Sequence, residues 1–172
     1  MQQFTYRVHK SYYRPKTMSL KDEWGETLFV LARQPHKLVA GILNVILRSG
    51  LPYTYKITQP NGKPFYSIHC SFPGFRYLLE DHQSSQTVPI AESRVQLMEK
   101  AYSFKLGDRS YYFEKDFAGT GHLKCNDTEI AAVSMSNLIV SSKLDVIHVE
   151  AENEDMASLS AMLFHTFFYY NA

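Results

Sequence analysis

The chain is 172 residues long, 45% hydrophobic and 20% charged, with a net charge of +1. That size supports one substantial core, and that composition excludes a disordered or fibrous chain. The near-zero charge gives no whole-chain attraction to nucleic acid, and two cysteines, Cys70 and Cys125, cannot build a disulfide framework. A reduced, cytoplasmic setting is therefore expected, and residues 1–7 lack the apolar core of a signal peptide. The two halves nevertheless differ. Residues 1–86 hold 11 Lys and Arg against 5 Asp and Glu, whereas residues 87–172 hold 7 against 12.

Residues 4–8 alternate as a strand does. Residues 18–22 and 26–32 read as strands around Glu23-Trp24-Gly25, a turn closed by glycine. Residues 38–48 form an apolar run too short to span a bilayer, which takes about 20 residues. As a short helix near 37–49, the run aligns Leu38, Ile42, Val45 and Ile46, a stripe expected to cap one opening of the fold, with a partner or membrane patch as the competing reading.

Residues 53–58 and 64–70 flank Asn61-Gly62, a favoured two-residue hairpin turn. Registering on that turn opposes Ile57 to Tyr66 and Tyr55 to Ile68 on one face, and places Lys56, Ser67, Thr58 and Phe65 on the other. Residues 102–106 and 109–113 turn through Gly107-Asp108, pairing Phe104 with Tyr111 and Tyr102 with Phe113. Residues 122–125 and 128–131 turn through Asn126-Asp127, opposing Leu123 to Ile130 and Lys124 to Glu129 as a cross-strand ion pair. Further strands are expected at 75–79, 88–91, 95–99, 137–141 and 145–149.

The final segment, 155–170, is apolar around its whole circumference, so it must be buried. Residues 156–170 rise about 22 Å as a helix, short of a hydrocarbon core of about 30 Å, and no basic cluster flanks them. Phe164, Leu163, Phe167 and Phe168 should be among the least exposed residues. About a dozen strands followed by one buried helix predict a mainly β fold: a closed barrel plugged by its C-terminal helix, one domain over 1–172.

The segment Leu20-Lys21-Asp22-Glu23-Trp24-Gly25-Glu26-Thr27-Leu28-Phe29-Val30 is similar to a strand–Asp-x-x-Gly–strand hairpin of the tubby C-terminal-like superfamily, which includes tubby proteins, phospholipid scramblases and LURP-one-related proteins. The hairpin with Asn61-Gly62-Lys63-Pro64 looks like that family's following pair, and the 155–170 helix takes the place of its buried C-terminal helix. The resemblance implies twelve strands around the helix and a non-catalytic binding or membrane-peripheral role. Small bacterial members are similar in length. The cysteine-rich segment of scramblases is absent, and residues 38–48 depart from the compact pattern.

Several chemistries compete with that role. His69, Cys70, His122 and Cys125 suggest zinc, but residues one or three apart on a strand point to opposite faces and cannot converge on one metal. Metals and cofactors are therefore not expected. The Gly-x-Gly at 119–121 opens no helix and reads as a turn. Asp81-His82-Gln83-Ser84-Ser85 is the most reactive-looking cluster, and it supports the enzyme alternative, a small hydrolase-like or ligand-processing site near Asp81 and His82. No Gly-x-Ser-x-Gly elbow accompanies it. Glu150, Glu152, Glu154 and Asp155 suit the positive end of a helix, with Asn153 or Asp155 as cap, better than a calcium site. His165, within the apolar helix, reads as a neutral core histidine. Lys10, Arg14, Lys16, Lys21, Arg33, Lys37, Lys56 and Lys63, interleaved with Tyr12, Tyr13, Tyr53 and Tyr55, are the candidate residues for an anionic ligand. By resemblance that ligand is a phosphoinositide or another phospholipid headgroup at a membrane surface, with a protein partner as the competing choice. No nucleic-acid motif accompanies them.

Overall fold

A computed structural model of the protein describes residues 1–9, 17–35, 53–71, 76–95, 99–136 and 144–169. Twelve antiparallel strands close into a barrel: β1 Gln2–His9, β2 Thr17–Lys21, β3 Thr27–Pro35, β4 Tyr53–Thr58, β5 Pro64–Ser71, β6 Arg76–Asp81, β7 Gln86–Val95, β8 Glu99–Leu106, β9 Arg109–Lys115, β10 Gly121–Cys125, β11 Thr128–Met135 and β12 Leu144–Ala151. Each strand pairs with its chain neighbours, and β1 closes the ring on β12, with Gln2 opposite Ala151 and His9 opposite Leu144. Closure leaves no free sheet edge.

Because the strands alternate in direction, the odd-numbered strands all end at one rim, here called the crown, and the even-numbered strands all end at the other, the base. The chain leaves β12 at the base, and helix α1, Glu154–Phe164, runs through the barrel toward the crown. Asn153 is its cap, accepting a hydrogen bond from the Met156 N–H at 2.9 Å, and Glu154 and Asp155 occupy the positive first turn. The last turn, His165–Tyr169, is wound as a π-helix. Inside the barrel all faces of α1 are covered: Ala157, Leu159, Met162 and Leu163 are fully buried, and Phe164, Phe167 and Phe168 nearly so. Ser158 and Ser160 are buried too, and their hydroxyls donate to the carbonyls of Asp155 and Ala157 within the helix. That satisfies the two polar groups without a partner on the barrel wall.

Gly121 marks the tightest approach of helix to wall. A Cβ there would lie 2.9 Å from Phe113 Cζ and 2.9 Å from Phe164 Cδ2, two rings themselves locked in the core. Gly121→Ala should lower stability by about 1–3 kcal/mol through overpacking, measured by urea unfolding. An unchanged midpoint would mean that the helix is not pressed against β10.

The hairpin registers largely follow the alternation. Tyr55 pairs with Ile68, Ile57 with Tyr66, Phe104 with Tyr111 and Tyr102 with Phe113. Three details differ from expectation. The β4–β5 turn is not a two-residue turn: Gly62 N–H donates to Gln59 O and Gln59 N–H to Lys63 O, and only Gly62 has a positive φ of 83°. A bulge between Ile57 and Thr58, with Phe65 as the extra residue on β5, restores the expected pairing from Ile57 onward and turns Phe65 inward beside Tyr66, not outward beside Thr58. A second bulge sets Leu123 opposite Ala131 rather than Ile130. Lys124 still faces Glu129, but its ammonium bonds Glu114 Oε1 on β9 at 2.7 Å, and Glu129 pairs with His122. A third bulge, between β2 and β3, lets Leu28 pack against the core beside buried Phe29. All three bulges lie next to base turns, where two consecutive apolar residues help seal that end of the barrel.

Of the strand expected at 95–99, Val95 ends β7 and Glu99 begins β8, and residues 96–98 lie outside the described residues. The strand expected at 137–141 and the helix expected near 37–49 lie outside the described residues.

Candidate functional site

On the outer wall, the alternation of β4, β5 and β6 brings Thr54, Ser67, His69, Glu80 and His82 together. Thr54 Oγ1 lies 3.1 Å from His69 Nδ1, and His69 Nε2 lies 3.2 Å from Glu80 Oε2. His82 Nε2 lies 2.8 Å from Ser67 Oγ and 3.6 Å from the same Glu80 oxygen. Two imidazoles thus share one carboxylate. The His82 pair lacks the geometry of a hydrolytic triad, which uses opposite ring nitrogens for hydroxyl and carboxylate. Thr54–His69–Glu80 does use opposite nitrogens, but Thr54 and Ser67 are both sunk into the wall. Among the described residues no group of three or more His, Cys, Asp or Glu has the arrangement to hold a metal ion. Cys70 and Cys125 are free thiols; burial raises the Cys70 pKa, opposed by its hydrogen bond with Tyr77.

Asp81 and His82 do not share a cleft. Asp81 lines a depression of about 470 Å³ at the base with Tyr66, Arg109, Tyr111 and Asp155, whereas His82 lines a separate one of about 200 Å³ with Gln59, Lys63 and Phe65. The Asp81 carboxylate is committed to its own turn, accepting from Gln83 N–H at 2.9 Å and from Ser84 Oγ–H at 2.6 Å. Burial, with the nearby Asp81 charge, pushes the Asp155 carboxyl above its usual range. Burial and the same two carboxylates push the Tyr66 phenol up as well. The larger depression thus holds two carboxylates, Asp81 and Asp155, and one guanidinium, Arg109.

The eight basic candidates do not form one described patch. Lys10, Arg14, Lys16 and Lys37 lie outside the described residues. Lys21 and Lys63 are exposed at the base, and Lys56 lies on the wall between Ala32 and Ser67. Arg33 pairs in register with Tyr55 on the inner face, its guanidinium carbon 6.0 Å from the Tyr55 ring centroid. It belongs to the crown end of the core, not to an outer basic surface. The shared imidazole–carboxylate cluster on the outer wall was missed in the sequence, though Ser67 and His69 on one strand, facing Glu80 and His82 on the next, carry its signal.

The axis of the closed barrel is filled by a helix, and the described polar clusters lie on its wall and rims. The chain belongs to the Tubby C-terminal like domain family, whose sequence model matches residues 4–170. Comparison with curated proteins and with solved structures finds no match. At family level, tubby-like domains are generally non-catalytic binding modules, with phosphoinositides and other lipids among their ligands. Among the described residues no helix is long and apolar enough to cross a membrane.

Proposed function

We propose that this domain is a non-catalytic, membrane-peripheral module that recognises anionic phospholipid headgroups with basic residues entered from the crown of the barrel. The supporting observation is that charge is segregated along the barrel axis. The base turns and the strand ends beside them hold Asp22, Glu23, Glu26, Asp81, Asp108, Asp127 and Glu152 against Lys21, Lys63 and Arg109, and the first turn of α1 adds Glu154 and Asp155. Lys10, Arg14 and Lys16 fall between β1 and β2, and Lys37 between β3 and β4, segments that the chain enters from the crown. An anionic bilayer attracts basic residues by about 1 kcal/mol each within a Debye length and repels the acidic base. Lys21 and Lys63 then face away from the membrane, and Lys56 and Arg33 serve the wall and the core.

Vesicle sedimentation tests this reading. The protein should pellet with phosphatidylserine or phosphoinositide vesicles, not with pure phosphatidylcholine, and high salt should release it. Combined Lys10→Glu, Arg14→Glu, Lys16→Glu and Lys37→Glu should weaken binding by more than about tenfold, while Lys21→Glu with Lys63→Glu should change it little. Failure to pellet with every anionic vesicle would end the lipid reading. Equal losses from both variants would move the site away from the crown.

A further inference from the structure

We infer that Phe117 is the residue this domain inserts into an anionic bilayer, so that the crown, carrying the β9–β10 turn, is the membrane-facing end. The inference rests on the lipid-binding reading and adds to it an orientation and a contact. Phe117 is 92% exposed, whereas every other described phenylalanine lies in the core. Its exposure is imposed by a tight turn. Asp116 N–H donates to Thr120 O at 2.9 Å, Gly119 N–H donates to Asp116 O at 3.0 Å, and Thr120 N–H donates to the Asp116 carboxylate at 2.8 Å. Gly119 supplies the positive φ of 87° that the turn requires. Asp116 is held in turn by His122 Nε2 at 3.1 Å. The ring is thus presented on a rigid support, with little conformational entropy left to lose when it is buried.

One other aromatic ring is comparably exposed among the described residues: Trp24, 80% exposed at the tip of the β2–β3 turn. Charge decides between the two. Trp24 stands at the base with Asp22, Glu23 and Glu26 in its own turn and Glu154 lining the same small depression. An anionic surface repels that end. Phe117 stands at the opposite rim, where the one carboxylate of its own turn, Asp116, is paired with His122 and the Lys115 ammonium is turned inward, 5.4 Å from the Phe168 ring centroid. A single ring is too small for a stable protein interface, but it suits the headgroup boundary, where apolar insertion adds to electrostatic attraction.

Trp24 is the sole tryptophan, so the experiment has a built-in control. Full-length protein is mixed with phosphatidylcholine–phosphatidylserine vesicles whose acyl chains are brominated, a short-range quencher. In the Trp24→Phe, Phe117→Trp double variant, emission should shift to the blue and be quenched on binding. The Trp24 emission of the unaltered protein should be neither shifted nor quenched. Phe117→Ala should weaken vesicle binding about tenfold, with an unchanged unfolding midpoint. Quenching of Trp24 but not of the Phe117→Trp reporter would overturn the orientation while leaving lipid binding intact. Binding with neither reporter quenched, or undiminished by Phe117→Ala, would overturn insertion while leaving electrostatic lipid binding intact. Absence of any binding by the unaltered protein would overturn both readings.

Discussion

Phe167→Ala should cost about 3–5 kcal/mol of folding free energy, a large part of the 5–15 kcal/mol typical of a domain. The ring is 2% exposed, stacked on Tyr102 at 3.6 Å between centroids and edge-on to Tyr77 at 4.8 Å. It thereby ties the last turn of the axial helix to β6 and β8. Truncation removes transfer free energy and leaves a cavity that a closed wall cannot collapse to fill. Phe117→Ala removes the same atoms from a 92% exposed site and should fall within about 0.5 kcal/mol of the parent. Urea unfolding of the two variants side by side isolates packing from residue chemistry. A loss below about 1 kcal/mol for Phe167→Ala, or equal losses in both, would show that the helix is not the packed axis of the barrel. Truncation before Asp155 should have the more drastic outcome, insoluble protein or a molten state with no cooperative transition, because the inward faces of twelve strands would lose their common partner.

The parts of this fold that were legible in the sequence are those set by a period. Alternation in residues 53–58 and 64–70 placed Tyr55 opposite Ile68 because a one-residue slip would reverse every side chain. The all-round apolarity of 155–170 pointed to burial because nothing in that segment offers water a face. The bulges were not legible. Phe65 beside Tyr66 breaks alternation, and two adjacent apolar residues do not say which of them the backbone will displace. The ion pairs were misread for a related reason. Lys124 has a strand on each side, and a hairpin considered alone reveals only Glu129, not Glu114 of β9. Arg33 shares the face of Phe29 and Leu31 on β3, so its inward placement was readable, but its charge led to a surface assignment. The polar wall cluster requires the β5–β6 register, which joins Ser67 to Glu80; Pro73-Gly74 between the two strands is a turn signal in the sequence, but it does not by itself fix that register. Phe117 shows the complementary limit: the Asp116–Gly119 spacing implies a turn, yet only the closed barrel shows which rim it occupies and which charges lie at the other.

Stability should fall as the pH drops below about 6.5, by about 1.4 kcal/mol per unit from His165 alone. His165 is fully buried, stacked on Tyr169 at 4.8 Å and edge-on to Tyr55 at 5.6 Å and to Tyr6 at 6.3 Å. Burial, with the Arg33 charge adding to it, lowers its pKa to about 3. The folded protein therefore keeps this imidazole neutral, while the unfolded chain takes up a proton near pH 6.5. The stability is fully present above that value and is lost progressively toward pH 3. His122 acts with the opposite sign. Burial opposes its charge, but Asp116 and Glu129 on its two ring nitrogens outweigh burial and raise its pKa. Its contribution is fully present below about pH 6.5 and is lost as pH rises through the raised value. The two histidines thus act on opposite sides of pH 6.5, and their combined contribution is greatest near it. His165→Phe should flatten the slope between pH 6.5 and 5.5, whatever it costs at neutral pH, and His122→Gln should flatten the slope above 6.5. Urea unfolding across pH 5.5–8 separates them. If the acid-side slope survives His165→Phe unchanged, the proton taken up on unfolding belongs to another group, and the neutral imidazole at the end of the plug is not what makes this barrel sensitive to acid.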